Sequence, residues 1–190
     1  MSAHHSQQVD PRIERSRIVI LRAAVEELAD VGYGRVTIES IAARAGVGKS
    51  TIYRHWPDKL ELIADAFETF HEQMVPDLSD RPVREAVALL ARHVAEILVD
   101  STFSRCIPAL IEGAERDERV REFHHRYSTE RRRALIDLIT RGISQRQISP
   151  TVDPELAATA LLGTIFYRRL MTSEPFNPDH ATQLVDLVLH

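Results

Sequence analysis

Apolar residues recur along this chain at the three- and four-residue spacing of amphipathic helices. No stretch of the sequence alternates polar and apolar residues at the period of two that a half-buried strand shows. Pro11 suits the first turn of a helix, and the pairs Asp153-Pro154 and Asn177-Pro178 each place an N-cap residue before a first-turn proline. The sequence therefore predicts an all-α fold of about nine helices.

Two short helices are predicted between residues 37 and 56. The first has Thr37 as its N-cap, a small apolar face at helical spacing, and Gly46 as a stop where the backbone must become left-handed. The second runs from Lys49 to Trp56, and only Ile52 and Trp56 face inward, so its other side chains are polar or basic. A short polar helix held by a close-packed partner is suited to the DNA major groove.

A further helix is predicted after this pair. Asp58 and Glu61 have the spacing of a capping box, so the helix is expected from Lys59 to about Met74. Its positive N-terminus and Lys59 would face the phosphate backbone. Its broad apolar face can pack on the N-terminal helices at one end and on the next domain at the other. A movement in one domain could therefore be transmitted by this helix to the other.

Longer helices follow. The fifth has Asp80 as candidate N-cap and Pro82 in its first turn, and the seventh is expected from about Asp117 to Arg146. Between them lies a shorter segment in which Pro108 predicts a kink or a late start.

Charge is distributed unevenly along the 190 residues. The net charge is −4, from 24 Lys and Arg against 28 Asp and Glu. Residues 1–60 carry 9 of the basic and 7 of the acidic residues, net +2, which leaves 15 and 21, net −6, for the remainder. We therefore predict an N-terminal helix-turn-helix DNA-binding domain over 1–60, with an ordered core over 10–60, and a C-terminal ligand-binding and dimerisation domain over 61–190.

The run IAARAGVGKSTIYRHWPDKLEL resembles the DNA-binding signature of the TetR family of bacterial regulators, in which a T-x-x-x-I-A-x-x-A-G-V run precedes a Y-x-H-(F/W)-x-x-K run. The match covers about Arg12 to Leu62. Two later stretches, PALIEGAERDERV and DPELAATALLGTIFYRRLMTSEPF, resemble one common type of TetR ligand-binding half. Gly48 departs from the family where many members have a serine N-cap. The resemblance implies a ligand-responsive, dimeric regulator, most often a repressor.

Residue by residue, the resemblance implies that four side chains contact phosphates: Thr37, Tyr53, His55 and Lys59. Four others of the second short helix are candidates for base-edge or mixed contacts: Lys49, Ser50, Thr51 and Arg54. A dimer implies a pseudo-palindromic operator whose half-sites lie about one helical turn apart.

Apolar side chains of the fourth to seventh predicted helices could line a small-molecule cavity or form ordinary core. They are Phe67, Phe70, Met74, Phe103, Ile107, Leu110 and Phe123, with Tyr127 and Arg131 as polar groups. Arg131 stands in register with apolar positions, where an unpaired charge would be costly, so an ion pair and a ligand contact are both open.

The two C-terminal helices are apolar on more than one face. Such helices need more partners than their own chain supplies, which predicts a symmetric four-helix seam between two subunits. The residues expected in this interface are Leu161, Ile165, Leu184 and Val188.

Other function classes find little support in the sequence. Gly48-Lys49-Ser50 resembles the end of a phosphate-binding loop, but Ala43 stands where that loop needs glycine and no strand precedes it. We therefore expect no enzymatic activity. The histidines at 4 and 5, and those at 93, 124 and 125, do not have the spacing of a metal-binding set, so no metal or cofactor is expected. The alternative is a helical DNA-binding or adaptor protein without an effector.

Cys106 is the single cysteine, which excludes an internal disulfide and is best interpreted as a small buried apolar residue. The N-terminus has no apolar signal core, and the longest apolar stretch, 156–166, is too short to cross a bilayer. A cytoplasmic location is expected.

Overall fold

The computed structural model describes residues 11–72, 76, 78, 81–99 and 101–190, and the regular structure of these residues is entirely helical. Its α-helices are α1 Pro11–Val31, α2 Ile38–Ala45, α3 Lys49–Tyr53, α4 Lys59–Glu72, α5 Val83–Val99, α6 Thr102–Ala114, α7 Glu118–Ser144, α8 Pro154–Met171 and α9 Ala181–Val188. A single turn of 3₁₀ helix, Pro178–His180, precedes α9. The predicted all-α fold is confirmed. No helix in the described ranges is both long and apolar enough to span a bilayer.

Three helix boundaries differ from the sequence prediction. The second short helix ends at Tyr53 rather than at Trp56, because the chain tightens there and the His55 amide donates to the Ile52 carbonyl three residues back at 2.9 Å. Of the kink or late start predicted at Pro108, the late start does not occur, since α6 already begins at Thr102 and contains Pro108, and the kink stays a prediction. Asn177-Pro178 opens a 3₁₀ turn, not α9 itself. The predicted N-cap Asp80 lies outside the described residues.

Two hydrophobic cores share α7. The first joins α1 to α4 with α6 and the start of α7, where Val120 and Phe123 are buried. The second joins α5, the later part of α7, α8 and α9. The first core therefore contains residues from both sides of residue 60. The packing shows no break there, so the domain boundary predicted at residue 60 stays a prediction.

The contact of α6 with α1 is close. The Cys106 thiol donates to the Val25 carbonyl at 3.4 Å and is fully buried, and burial raises its pKa to about 12. A Cβ added at Gly113 would lie 3.1 Å from the ring of Tyr33 in the α1–α2 connection, so a larger residue there would require the ring to shift by a few tenths of an ångström. Cys106 thus packs as a small apolar residue, as the sequence predicts.

Candidate nucleic-acid interface

Local hydrogen bonds fix the two short helices of the helix-turn-helix. The Thr37 hydroxyl accepts from the Ser40 amide at 3.0 Å, and the Ser40 hydroxyl accepts from the Thr37 amide at 3.1 Å, which forms a complete capping box. At the other end of α2, Gly46 has a φ of 69°, and the Val47 amide donates back to Ala42 at 3.0 Å. The chain can therefore restart as α3 within a few residues.

α3 is anchored from its inner side. Ile52 is 0% and Trp56 5% exposed, and the Trp56 indole donates to the Asp65 carboxylate on α4 at 2.8 Å. Tyr53 is 53% exposed on the other side. Because its apolar residues are held and its polar residues are outside, α3 has the form of a recognition helix.

The structure brings most of the predicted DNA-contacting side chains to the surface. Those exposed on or beside α2 and α3 are Thr37, Lys49, Ser50, Tyr53, Arg54 and His55, whereas Thr51 is half-buried. Thr37 serves as the cap of α2 at the same time. Lys49 also has a protein partner, since its ammonium lies 2.8 Å from the Glu39 carboxylate.

Lys59 has a role that the sequence prediction missed. Its ammonium donates to the backbone carbonyls of Tyr33 and Val36, both at 2.9 Å, and lies 4.3 Å from the centre of the Tyr33 ring. Burial lowers the pKa of Lys59. Lys59 thus ties the α1–α2 connection to the start of α4. A signal was present: a cation in the first turn of a helix is unfavourable without a local partner.

Asp58 joins the start of α4 to α7. One carboxylate oxygen accepts from the amides of Leu60 at 2.9 Å and Glu61 at 3.1 Å, which confirms the N-cap, and the other lies 2.8 Å from Arg119. Burial alone would raise the pKa of Asp58, but the hydrogen bonds from Glu61, Arg119 and Leu60 outweigh it and hold the pKa below its usual value. The Arg119 contact was not predictable from the sequence, because the two residues lie 61 positions apart.

The predicted effector cavity is filled by an aromatic cluster, formed by Phe67, Phe70, Phe103, Phe123 and Tyr127. The Phe67 ring centre lies 5.0 Å from Phe103, 5.5 Å from Tyr127 and 6.2 Å from Phe123, in edge-to-face contacts. Phe67 and Phe123 are 3% exposed. These side chains converge, and their rings contact one another directly, so that the place of an effector among them stays a prediction.

Three other residues were predicted to line that cavity. Leu110 is buried in the same core as the aromatic cluster. Ile107 is partly buried and packs against the second core, so its part in a cavity stays a prediction. Met74 lies outside the described residues. Open clefts of about 560 and 530 Å³ occur elsewhere, between α1 and the end of α2 and beside the connection from α7 to α8.

Arg131 forms an ion pair at the edge of the aromatic cluster. Its guanidinium lies 2.8 Å from the Glu68 carboxylate and 4.6 Å from the centre of the Tyr127 ring. The ion pair is therefore present, and the ligand contact stays a prediction. The Nε atom of Arg131 is buried without a hydrogen-bond partner. Burial raises the pKa of Tyr127.

Three of the four residues predicted for the dimer interface are buried inside their own chain. Leu161 and Ile165 are 0% and Leu184 is 8% exposed, because α8 and α9 pack on α5 and α7 in the second core. Val188 is half-buried at the edge of that core. The first three side chains therefore cannot form a surface for a second subunit. The large apolar side chains that these helices do expose are Leu156, Tyr167, Met171 and Leu187, at 60 to 72%.

A capped helix-turn-helix joined to a larger helical body defines a DNA-binding transcriptional regulator. Residues 20–66 match the profile of the tetR family of bacterial regulatory proteins, and residues 76–188 match that of the tetracyclin repressor-like C-terminal domain. The chain belongs to the TetR family. Members of this regulatory, non-enzymatic family bind operator DNA and dimerise.

Individual proteins are similar over nearly the whole chain. The uncharacterized HTH-type transcriptional regulator YdeS of Bacillus subtilis is 31% identical over 92% of this chain and 88% of its own. The DNA-binding transcriptional repressor TetR of Mycobacteroides abscessus is 28% identical over 94% of each chain. The structure of FadR from Bacillus subtilis with stearoyl-CoA shares the fold, with a TM-score of 0.75, 24% identity and coverage of 90% of this chain and 97% of that one.

Proposed function

We propose that the chain represses transcription in the bacterial cytoplasm as a homodimer that binds a pseudo-palindromic operator. The observation that carries this proposal is the orientation of α3, which buries Ile52, is anchored through the adjoining Trp56, and exposes donors. Each subunit would place α3 in one major groove, so the half-sites would lie about one helical turn apart.

The exposure and position of each side chain indicate whether it would contact phosphates or base edges. Tyr53 and His55 are exposed toward the end of α3, and Thr37 lies at the start of α2, where side chains and amides suit phosphates. Lys59 would use the one ammonium proton that its two carbonyl bonds leave over. The remaining candidates, Lys49, Ser50, Thr51 and Arg54, would face base edges or make mixed contacts.

Binding to selected DNA tests this function. The protein would be used to select sequences from random duplexes, and the selected operator would be compared with scrambled DNA at two salt concentrations. We expect saturable, salt-sensitive binding that prefers the operator. Tyr53→Ala should lose affinity, and Tyr53→Phe separates loss of the hydroxyl from loss of the ring. Failure to select any sequence would contradict the proposal.

The dimer would form through the exposed stripe of α8 rather than through its core-facing residues. Leu156, Gly163, Tyr167 and Met171 follow one another at i, i+7, i+11 and i+15, which places them on one side of the helix. A Cβ added at Gly163 meets no atom within 4 Å, so the partner's helix can approach closely there. Leu187 of α9 is a further exposed apolar side chain.

Gly163→Arg tests this seam. A large charged side chain in the middle of the stripe should convert the dimer to a monomer in light-scattering measurements and abolish operator binding. Gly163→Ala is the matched control, because a single methyl group should leave the dimer intact. A Gly163→Arg protein that stays dimeric would place the interface elsewhere.

The effector would be a molecule with an apolar body and an acceptor or anionic group, which enters by separating the rings of the aromatic cluster. Two observations support this: Arg131 keeps a buried, unpartnered Nε beside the rings, and α4 carries both Phe67 and the Lys59 contact near the recognition helix. The similar FadR structure holds stearoyl-CoA, which combines the same two chemical features.

Release of operator DNA by stearoyl-CoA, stearate and coenzyme A tests the effector site. We expect an acyl compound to release DNA from the wild type and from Arg133→Gln, whose arginine is exposed on the same helix, but not from Arg131→Gln. Release that is equal in both variants would exclude Arg131 from the site. A wild type that no such compound releases would favour the alternative, a regulator without this kind of effector.

A further inference from the structure

One ion pair joins the two short helices on the side that the proposed function turns toward DNA. Lys49, the first residue of α3, places its ammonium 2.8 Å from the carboxylate of Glu39 in the first turn of α2. The side chains are 55% and 58% exposed. Their hydrogen bond lowers the pKa of Glu39 and raises the pKa of Lys49, so the pair stays ionised around neutral pH and presents one donor beside one acceptor.

The spacing of these groups matches the major-groove edge of a G·C base pair. Guanine O6 is an acceptor there, and cytosine N4 is a donor with one N–H pointing into the groove. Because a base-pairing hydrogen bond joins these two atoms, they lie about 2.9 Å apart. An ammonium and a carboxylate 2.8 Å apart can therefore bond both atoms without separating from each other.

We propose, on the basis of the DNA-binding function above, that Glu39 and Lys49 read one G·C base pair of each half-site as a unit. Lys49 donates to guanine O6, and Glu39 accepts from cytosine N4. At a T·A pair, thymine O4 and adenine N6 present the same acceptor and donor, but the thymine methyl group stands where guanine presents N7. Lys49 therefore loses the second hydrogen bond that it can donate to guanine and meets the methyl group instead. At the reversed pairs C·G and A·T, donor would face donor and acceptor would face acceptor.

Arg54 provides the contrast within the same reading surface. It is exposed and has no acidic partner among the residues that the structure describes. A free guanidinium attracts any phosphate, so Arg54 contributes to binding of all DNA sequences. The Glu39–Lys49 pair is neutral as a whole and contributes little to that attraction. Its contribution is therefore to specificity.

Glu39→Gln tests the proposal, with operators selected from random duplexes by the wild type and by the variant. Glutamine suits the N6 and N7 atoms of adenine, so the preference at one position of each half-site should change from G·C toward T·A. The variant also frees the charge of Lys49. Random DNA should therefore bind a few-fold more tightly, with a salt slope steeper by about one, and the operator-to-random ratio should fall by about tenfold.

Two further variants identify the cause. Arg54→Gln should weaken binding of operator and random DNA alike while keeping the G·C preference. In a Lys49→Ala background, Glu39→Gln should no longer increase affinity for random DNA. If the wild type selects an operator and Glu39→Gln selects the same bases at every position, this inference is overturned, but the proposed DNA-binding function is not. A wild type that selects no sequence would overturn the proposed function as well.

Discussion

The recognition helix and the aromatic cluster are connected by α4 and hold their side chains in opposite ways. α3 buries Ile52 and leaves its donors exposed, whereas Phe67 of α4 is enclosed by rings of α6 and α7. The first region is ready to contact a partner with little rearrangement. The second must open before any molecule can enter, and opening would break edge-to-face contacts worth about 0.5–1.5 kcal/mol each.

This difference gives the two regions different roles in a regulator. A rigid reading surface lowers the entropy cost of binding DNA. A closed cluster whose opening moves α4 can link an effector to that surface, because α4 begins beside the recognition helix at Asp58 and Lys59.

Phe67→Ala is expected to have the largest effect, because it removes the central ring of the aromatic cluster. If the cluster is solid core, the free energy of unfolding should fall by about 3–5 kcal/mol in urea titrations. Phe70→Ala is the matched control and should cost less, since Phe70 is only half-buried. A loss below about 1 kcal/mol for Phe67→Ala would mean that the ring lines open space in solution.

Tyr53→Ala examines the other side of the comparison. The side chain is 53% exposed, so stability should hardly change, but binding to operator and scrambled DNA should weaken together by roughly tenfold through loss of a hydrogen bond to a charged group. Fluorescence anisotropy with both duplexes measures this. Loss confined to the operator would show instead that Tyr53 reads a base.

The helix-turn-helix was predictable because its signals are local. Thr37 and Gly46 act within three or four residues of themselves, and their capping roles are as the sequence predicts. Ile52 and Trp56 are buried as predicted although α3 is shorter than expected, because Trp56 reaches its place through a turn rather than through helix. Local chemistry thus determined both the elements and the exposed face.

The remaining features depend on distances that the sequence does not contain. Whether the rings of Phe67 and Phe103 leave space between them depends on how close α4 and α6 lie. Apolar spacing likewise shows that α8 has two apolar faces but not which one its own chain covers, so Leu161 was assigned to a partner although its own chain buries it. The Lys59 and Arg119 contacts join residues far apart in sequence.

Asp58→Ala tests the junction between the two regions. Loss of the N-cap of α4 should lower the free energy of unfolding by about 1 kcal/mol. The folded-state pKa of Asp58 lies below its unfolded value of 3.8, so its contribution is present above that pH and is lost as the pH falls through the folded pKa. Asp58→Asn keeps a capping oxygen but cannot titrate. Its free energy of unfolding, measured in urea, should therefore fall less steeply as the pH is lowered than that of the wild type.

Arg119→Ala should have the smallest effect and separates stability from coupling. Its ion pair with Asp58 is solvent-exposed, and such pairs contribute little to stability, so the urea midpoint and the operator affinity should both stay unchanged without effector. The pair nevertheless connects α7, which carries Phe123 and Tyr127, to the residue that caps α4. If the closed cluster controls DNA binding through this contact, the Arg119→Ala variant should need more effector to release the operator.

Arg121→Ala, which removes a pair within α7 alone, is the control and should respond like the wild type. Equal effector responses of both variants would show that α4 itself transmits the opening.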